Sequence, residues 1–260
     1  MGIEELIVKI SKTISDPYDR QARLWPALLA LFPVLATLSM LYVPAFSVLS
    51  NVVLLAVSCG GLYLLTDISR ESGKRLEERL YVRWGGKPTT QLLRHRDKTI
   101  DGVTKQRYHL FLSGMIKVPF PDRPQEAVDP DSADDVYQSA TRWLLNKTFG
   151  DTKNYPLQFK ENVAYGFRRN ALGVKPIGLG MCFVSIGLII VNQGIVTFAN
   201  GVNFDMQAMS RLTENGVISL SASFVMLSLW CFYITASTVR TAAFTFAETL
   251  FRACDKLAKK

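Results

Sequence analysis

The 260-residue chain has little of what most chemistry needs. It holds two histidines, His95 and His109, and four cysteines. Neither histidine has a histidine, cysteine or carboxylate at ligand spacing, which argues against a structural metal site. Cys59, Cys182, Cys231 and Cys254 stand alone, without metal or disulfide spacing, as inert packing residues in a reducing compartment do. WGGKPTT resembles a phosphate loop only superficially. Pro88 stands where a serine or threonine must bind magnesium, and the earlier glycine is missing. Neither histidine has an arginine four to six residues before it, as in HEPN ribonucleases, and no serine lies in a nucleophile elbow. The expectation is a protein that is not an enzyme and carries no cofactor.

Charge is absent over long stretches. Leu24 to Thr66 contains none, a run too long for one membrane span of about 20 residues and suited to two. Pro44 marks the turn between spans near 24–43 and 46–66. Uncharged segments at 176–198 and 217–239 complete an expected set of four transmembrane helices. Basic residues flank the spans on one side: Arg20 and Arg23, then Arg70, Lys74, Arg75 and Arg79, then Arg168, Arg169 and Lys175, then Arg240 and Arg252. By the positive-inside rule both termini and the central segment are cytoplasmic. The first apolar run begins too late for a cleavable signal, and MGIEEL lacks a myristoylation serine or threonine.

The fold class expected is therefore an all-α membrane protein with a mainly helical cytoplasmic domain inserted between two hairpins. Its parts are an amphipathic segment at 1–23, a first hairpin at 24–66, the cytoplasmic domain at 67–175, a second hairpin at 176–239 and a C-terminal helix at 240–260. Ile3, Leu6, Ile7, Ile10 and Ile14 give the first part an apolar face. Helices are expected after the Ser15-Asp16-Pro17 start, as a charged continuation of the second span ended by Gly85-Gly86, and at Pro88–Asp97. Thr104–Met115 reads as helix or strand, Ser132 as the cap of a helix through Leu145, and Pro156–Ala171 as helix. PFPDRPQEAVDPDS reads as an irregular loop. From about Val217 to Leu257 one helix of roughly 60 Å is expected, its cytoplasmic end sharing the domain's core.

Two features stand out against this background. Gly173, Gly180, Gly187, Gly194 and Gly201 recur every seven residues, which places them near one face of a helix. Glycine costs roughly 1 kcal/mol against alanine in a helix, so such a row implies close backbone approach. The approach is either within one bundle or between copies in a homo-oligomer. Asn192 and Gln193, in the same span, are candidates for interhelical hydrogen bonding or pore lining, alongside Gly180, Gly187 and Gly194. The second feature is a basic cluster, Lys87, Arg94, Arg96, Lys98, Lys105 and Arg107, interleaved with Trp84, His95, Tyr108 and His109. Cations among planar rings suit a phosphate-bearing ligand such as a nucleotide or oligonucleotide. Juxtamembrane cations also set topology or touch anionic membrane lipid. Residues 67–175 hold 20 lysines and arginines against 14 acids, so +6 of the net +8 lies there.

Four spans, a compact domain between two hairpins, small size and no catalytic motif resemble the membrane effectors of bacterial anti-phage defence, in particular the Hailong-type transmembrane effector. The resemblance is one of layout across the whole chain. It implies an oligomeric, pore-like protein of the bacterial inner membrane, opened or closed by a nucleotide or oligonucleotide from a partner nucleotidyltransferase. A membrane-anchored adaptor or assembly subunit without its own pore, and a small transporter, are the other readings. No acidic residue within a span and no visible inverted repeat disfavour the transporter.

Overall fold

The computed structural model describes residues 15–43, 46–48, 50, 61–198 and 201–259. Most of the second expected span, its Pro44 turn, Cys59 and residues 1–14 of the N-terminal segment lie outside the described residues. Helices make up most of the described chain: α1 (Asp19–Leu41), α2 (described from Gly61, Gly61–Trp84), α3 (Pro88–Leu93), α4 (Gly102–Ile116), α5 (Arg123–Val128), α6 (Pro130–Thr148), α7 (Pro156–Asn192), α8 (Glu214–Tyr233) and α9 (Ala236–Leu257). A two-residue antiparallel pair, β1 (Val196–Thr197) and β2 (Asn203–Phe204), and a 3-10 turn at Met206–Arg211 link α7 to α8. Helices α1, α7 and α8 are each long and apolar enough to cross a membrane. The chain divides into two compact units, the first taking in Met1–Leu76 and Gly166–Thr238, the second Glu77–Tyr165 and Val239–Lys260.

In the first unit α1 starts as the sequence indicates. Asp16 Oδ1 accepts from the backbone N–H of Tyr18 at 2.7 Å and of Asp19 at 3.2 Å, satisfying donors that a helix start leaves open. A chain of buried hydroxyls ties three helices together. Ser185 Oγ on α7 lies 2.6 Å from Thr37 Oγ1 on α1 and 2.7 Å from Ser223 Oγ on α8, and donates to the Pro33 carbonyl at 3.1 Å. All three side chains are fully buried, and mutual pairing removes the cost of an unsatisfied hydroxyl in an apolar interior. Below them Asn170 Nδ2 donates to the Ala22 carbonyl at 2.6 Å. Ala30, Ala171, Val174, Cys182, Met226, Trp230 and Ile234 fill the space between. Outward, Phe183, Val184, Phe224, Val225 and Phe232 remain exposed, as a helix face that meets an apolar surrounding requires.

Three expectations of helix extent are corrected. Helix α7 stops at Asn192, not residue 198. Gly194 takes φ +71°, the Ile195 N–H reaches back to the Ile190 carbonyl at 3.0 Å, and the Gly194 N–H to Val191 at 3.1 Å, a glycine C-cap that closes the helix. The expected single helix from Val217 to Leu257 is broken instead. It widens to a π turn at Leu229–Tyr233, leaves helical geometry at Ile234, and restarts at Ala236. Lys175 Nζ donates to the carbonyls of Ile234 (2.9 Å) and Cys231 (3.3 Å), putting a cation on the partial negative charge of the broken end. The Thr235 Oγ1 accepts from the Thr238 N–H at 3.3 Å and opens the next helix. Third, the irregular loop contains α5. Asp122 accepts from the Gln125 N–H while the Gln125 side chain accepts from the Asp122 N–H, a full capping box.

The second unit is built on α6, whose cap is Asp129 rather than Ser132: the Ser132 N–H donates to Asp129 Oδ1 at 3.0 Å, with Pro130 in the first turn. Tyr137, Ala140 and Leu144 on α6 pack with Leu92, Leu93, Tyr108 and Leu112. Leu250, Phe251 and Cys254 of α9 complete this core, the place that the apolar residues after Thr241 indicate. Residues 104–115 are helix, within α4, capped by Asp101 on the Thr104 N–H. Gly85 and Gly86, at φ +79° and +127°, end α2 where expected.

Candidate functional site

The six basic residues of the cluster divide into three groups. Two are structural. Arg94 is only 9% exposed; its Nε donates to Asp134 Oδ1 at 2.8 Å, its Nη2 to Asp134 Oδ2, and its Nη1 to the Gly85 carbonyl at 2.7 Å. One guanidinium thus stitches the end of α2 to α6, a bidentate geometry that lysine cannot supply. Asp134 holds the Arg94 pKa above its ordinary value, chiefly through these hydrogen bonds. Lys105, 5% exposed, donates to the carbonyls of Arg94 (2.8 Å) and Asp97 (2.6 Å), and burial pushes its pKa down.

Two more face solvent with partners elsewhere. Lys87 donates to the Gln138 side chain at 2.8 Å, and Arg107 pairs with Asp255 through its Nε at 2.9 Å. The last two, Arg96 and Lys98, are exposed, with no hydrogen bond or ion pair among the described residues. The turn that carries them is fixed from beneath. His109 Nε2 donates to the Leu93 carbonyl at 2.8 Å, and the His95 N–H donates to Glu126 Oε2 at 2.9 Å, which also accepts from the Tyr137 hydroxyl at 2.7 Å. The His95 ring Nε2 donates to the Pro121 carbonyl at 2.9 Å and meets the His109 ring edge-on at 5.1 Å. Burial drives His109 down to about 4, so near neutral pH it is an uncharged ring holding a carbonyl. Both histidines therefore serve the scaffold.

Two adjoining cavities open around this turn. One, of about 410 Å³, is lined by His95, Asp97, Lys98, Lys105 and Arg123 among others. The other, of about 390 Å³, runs past Arg94, Arg96, Lys98, Arg123 and Glu126. Arg123, in the first turn of α5, joins Arg96 and Lys98 as a third exposed cation on them. The sequence reading missed it. The legible signal was the Asp122-x-x-Gln125 spacing with Pro124 between, which starts a helix and points Arg123 out of the supposed loop. The four acids on these walls are already engaged: Glu126 by His95 and Tyr137, Asp134 by Arg94, Asp97 by the Thr99 N–H and Lys105, and Asp101 by the Thr104 N–H. Arg96, Lys98 and Arg123 are left as an electropositive rim suited to a phosphate group. Among the described residues no three His, Cys, Asp or Glu side chains are placed to hold a metal.

The glycine row also divides. A Cβ on Gly173 would lie 2.5 Å from the Gly73 nitrogen and 2.6 Å from the Ser72 carbonyl carbon, so this glycine lets α2 and α7 touch. Gly180 and Gly187 face open space, with nothing within 4 Å of a Cβ. Gly194 is the helix cap, and Gly201, at φ +101°, lies beyond it, so the five do not share one helical face. Asn192 and Gln193 sit at the end of α7, not deep in a span. Asn192 Nδ2 donates to the Leu41 carbonyl at 3.2 Å, and Gln193 Oε1 accepts from the Thr213 N–H at 2.9 Å. They tie the ends of α1, α7 and α8. No protein-family model, no curated protein and no solved structure shows significant similarity to this chain.

Proposed function

We propose that the chain is an oligomeric membrane effector of bacterial anti-phage defence whose extramembrane domain binds a nucleotide or oligonucleotide. In this reading four helices span the inner membrane, the second near 46–66. Both termini and the central segment face the cytoplasm, and a partner nucleotidyltransferase supplies the ligand. The observation that carries it is the rim of Arg96, Lys98 and Arg123, three exposed cations with no partner among the described residues, on adjoining cavities. The layout that resembles Hailong-type effectors supplies the defence context.

The buried chain of Thr37, Ser185 and Ser223 favours a conduction path between copies over one through a single chain. Gly180 and Gly187, smooth and open, offer α7 a close approach to a second copy in lipid, where packing depends on van der Waals contact. The same buried contacts of α1, α7 and α8 also fit the alternative, a membrane-anchored adaptor or assembly subunit with no pore of its own.

Replacing Arg96, Lys98 and Arg123 together with glutamate is expected to abolish binding of a fluorescent oligonucleotide by the full-length protein, with the melting temperature unchanged. Wild-type affinity should fall as salt rises, by about one order for each order of salt per phosphate contact. Fluorescence anisotropy at several salt concentrations makes the measurement. Salt-insensitive binding, or full binding by the triple variant, would move the ligand elsewhere.

A further inference from the structure

The second unit holds another cavity that shares none of the rim cations. It measures about 240 Å³ and is lined by Tyr81, Lys87, Thr141, Arg142, Tyr165 and Phe246, with Thr89, Gln138 and three apolar residues beside them. Its walls are mostly rings and aliphatic carbon. Tyr165 and Phe246 lie nearly parallel, 7° apart in plane and 6.3 Å between centroids. The Tyr165 hydroxyl is taken by Glu77 and by Tyr81, so these phenols offer faces rather than O–H groups.

Two cations on this wall, Lys87 and Arg142, make no ion pair among the described residues. Lys87 donates to the neutral amide oxygen of Gln138, which leaves its charge uncompensated. Arg142 is exposed, with no hydrogen bond or ion pair among the described residues. Thr141, 6% exposed, lines the same cavity, and its Oγ1 is buried without a hydrogen-bond partner. A helical threonine ordinarily satisfies its hydroxyl on a carbonyl one turn back, as Thr148 does on Leu144 at 3.0 Å. Thr141 does not. A 120° turn of χ1 carries the hydroxyl into the place its methyl holds, the methyl moving to that of the Cβ hydrogen. A ligand that accepts this hydrogen bond relieves the cost of the unpaired hydroxyl.

We propose that this cavity is a second ligand site, for a compact aromatic anion. The flat ring packs against Tyr81, Tyr165 and Phe246, and a phosphate or carboxylate on it meets Lys87 and Arg142, with Thr141 donating. The site is independent of the rim that binds the nucleotide in the reading above. A ring without charge leaves both cations unmatched, and inorganic phosphate leaves the apolar wall empty, so each alone binds more weakly than the two joined.

Phenyl phosphate is the probe, titrated calorimetrically into the full-length protein in lipid nanodiscs, with phenol and inorganic phosphate as separate controls. The expected result is one saturable site per chain, with both controls weaker by about tenfold or more. Thr141→Val should weaken phenyl phosphate by about tenfold while leaving the melting temperature equal or higher, because valine removes an unpaired buried hydroxyl of nearly the same shape. Lys87→Gln with Arg142→Gln should remove binding. The Arg96, Lys98 and Arg123 charge reversal should leave it intact. Absence of saturable binding overturns the proposal, as does affinity unchanged by Thr141→Val. Binding lost in the rim variant but kept in Lys87→Gln/Arg142→Gln assigns the probe to the rim and overturns it equally.

Discussion

Gly173→Leu is expected to disrupt the first unit, whereas the same change at Gly187 is not. The sequence makes the two positions equivalent, fourteen residues apart in one regular row. The surroundings make them opposites. At Gly173 the new Cβ alone would sit 2.5 Å from backbone nitrogen and 2.6 Å from backbone carbon of α2, atoms that cannot rotate away. Gly73 has the same constraint from the other side, its Cβ position meeting Asn170. Displacing Asn170, which faces Gly73, also strains its hydrogen bond to Ala22 on α1, whose loss leaves a buried amide N–H unpaired. The cost is about 3 kcal/mol or more, at the upper end for overpacking of an interior. Size-exclusion profiles and trypsin resistance in mild detergent read it: Gly173→Leu should aggregate or be cut within α2 or α7. Gly180→Ala and Gly187→Ala, with open space around the added methyl, should hold or gain stability, by up to roughly 1 kcal/mol from helix propensity.

Arg94→Ala is expected to lower the melting temperature of the second unit by roughly 10–15 °C, equivalent to about 3 kcal/mol in a unit of this size. Removing the guanidinium leaves the Asp134 carboxylate partly buried and opposite nothing, and frees the Gly85 carbonyl that ends α2. Breaking one partner of such a pair costs more than the pair contributes. The double variant Arg94→Ala/Asp134→Ala should therefore recover part of the loss, a coupling that a double-mutant cycle by differential scanning fluorimetry measures. Arg107→Ala supplies the contrast. Its ion pair with Asp255 lies in solvent, where such pairs contribute little, and the melt should hardly move. Equal effects at Arg94 and Arg107 would contradict the division of the basic cluster into structural and free cations.

These two residues also show what a sequence conveys and what it withholds. Uncharged runs identify α1, α7 and α8 directly, because an apolar surrounding demands an unbroken stretch of apolar side chains. Helix stops governed by local chemistry were legible at Gly85-Gly86, and in retrospect at Gly194. A glycine that closes a helix and one that admits a neighbour look alike until the neighbour is placed. The break at Ile234 was not legible, since the group that stabilises it, Lys175, comes from 59 residues earlier. The basic cluster was visible as density, but burial is a tertiary property. Lys105 is interior because two carbonyls of the 94–97 turn converge on it, and Arg94 because Asp134 and Gly85 do. Arg123 was hidden for the converse reason: prolines and acids around it read as a loop, while Asp122 and Gln125 were capping a helix.

The central claim is that a phosphate-bearing ligand on the Arg96, Lys98 and Arg123 rim controls membrane permeability. Ion flux from liposomes containing the purified full-length protein, measured with and without added oligonucleotides and cyclic nucleotides, tests it most directly. The account predicts flux that changes on adding at least one of these ligands, in either direction, and that no longer responds when the three rim residues are glutamate. Flux absent under every condition in protein shown to be inserted, or a response identical in the charge-reversed variant, would contradict it.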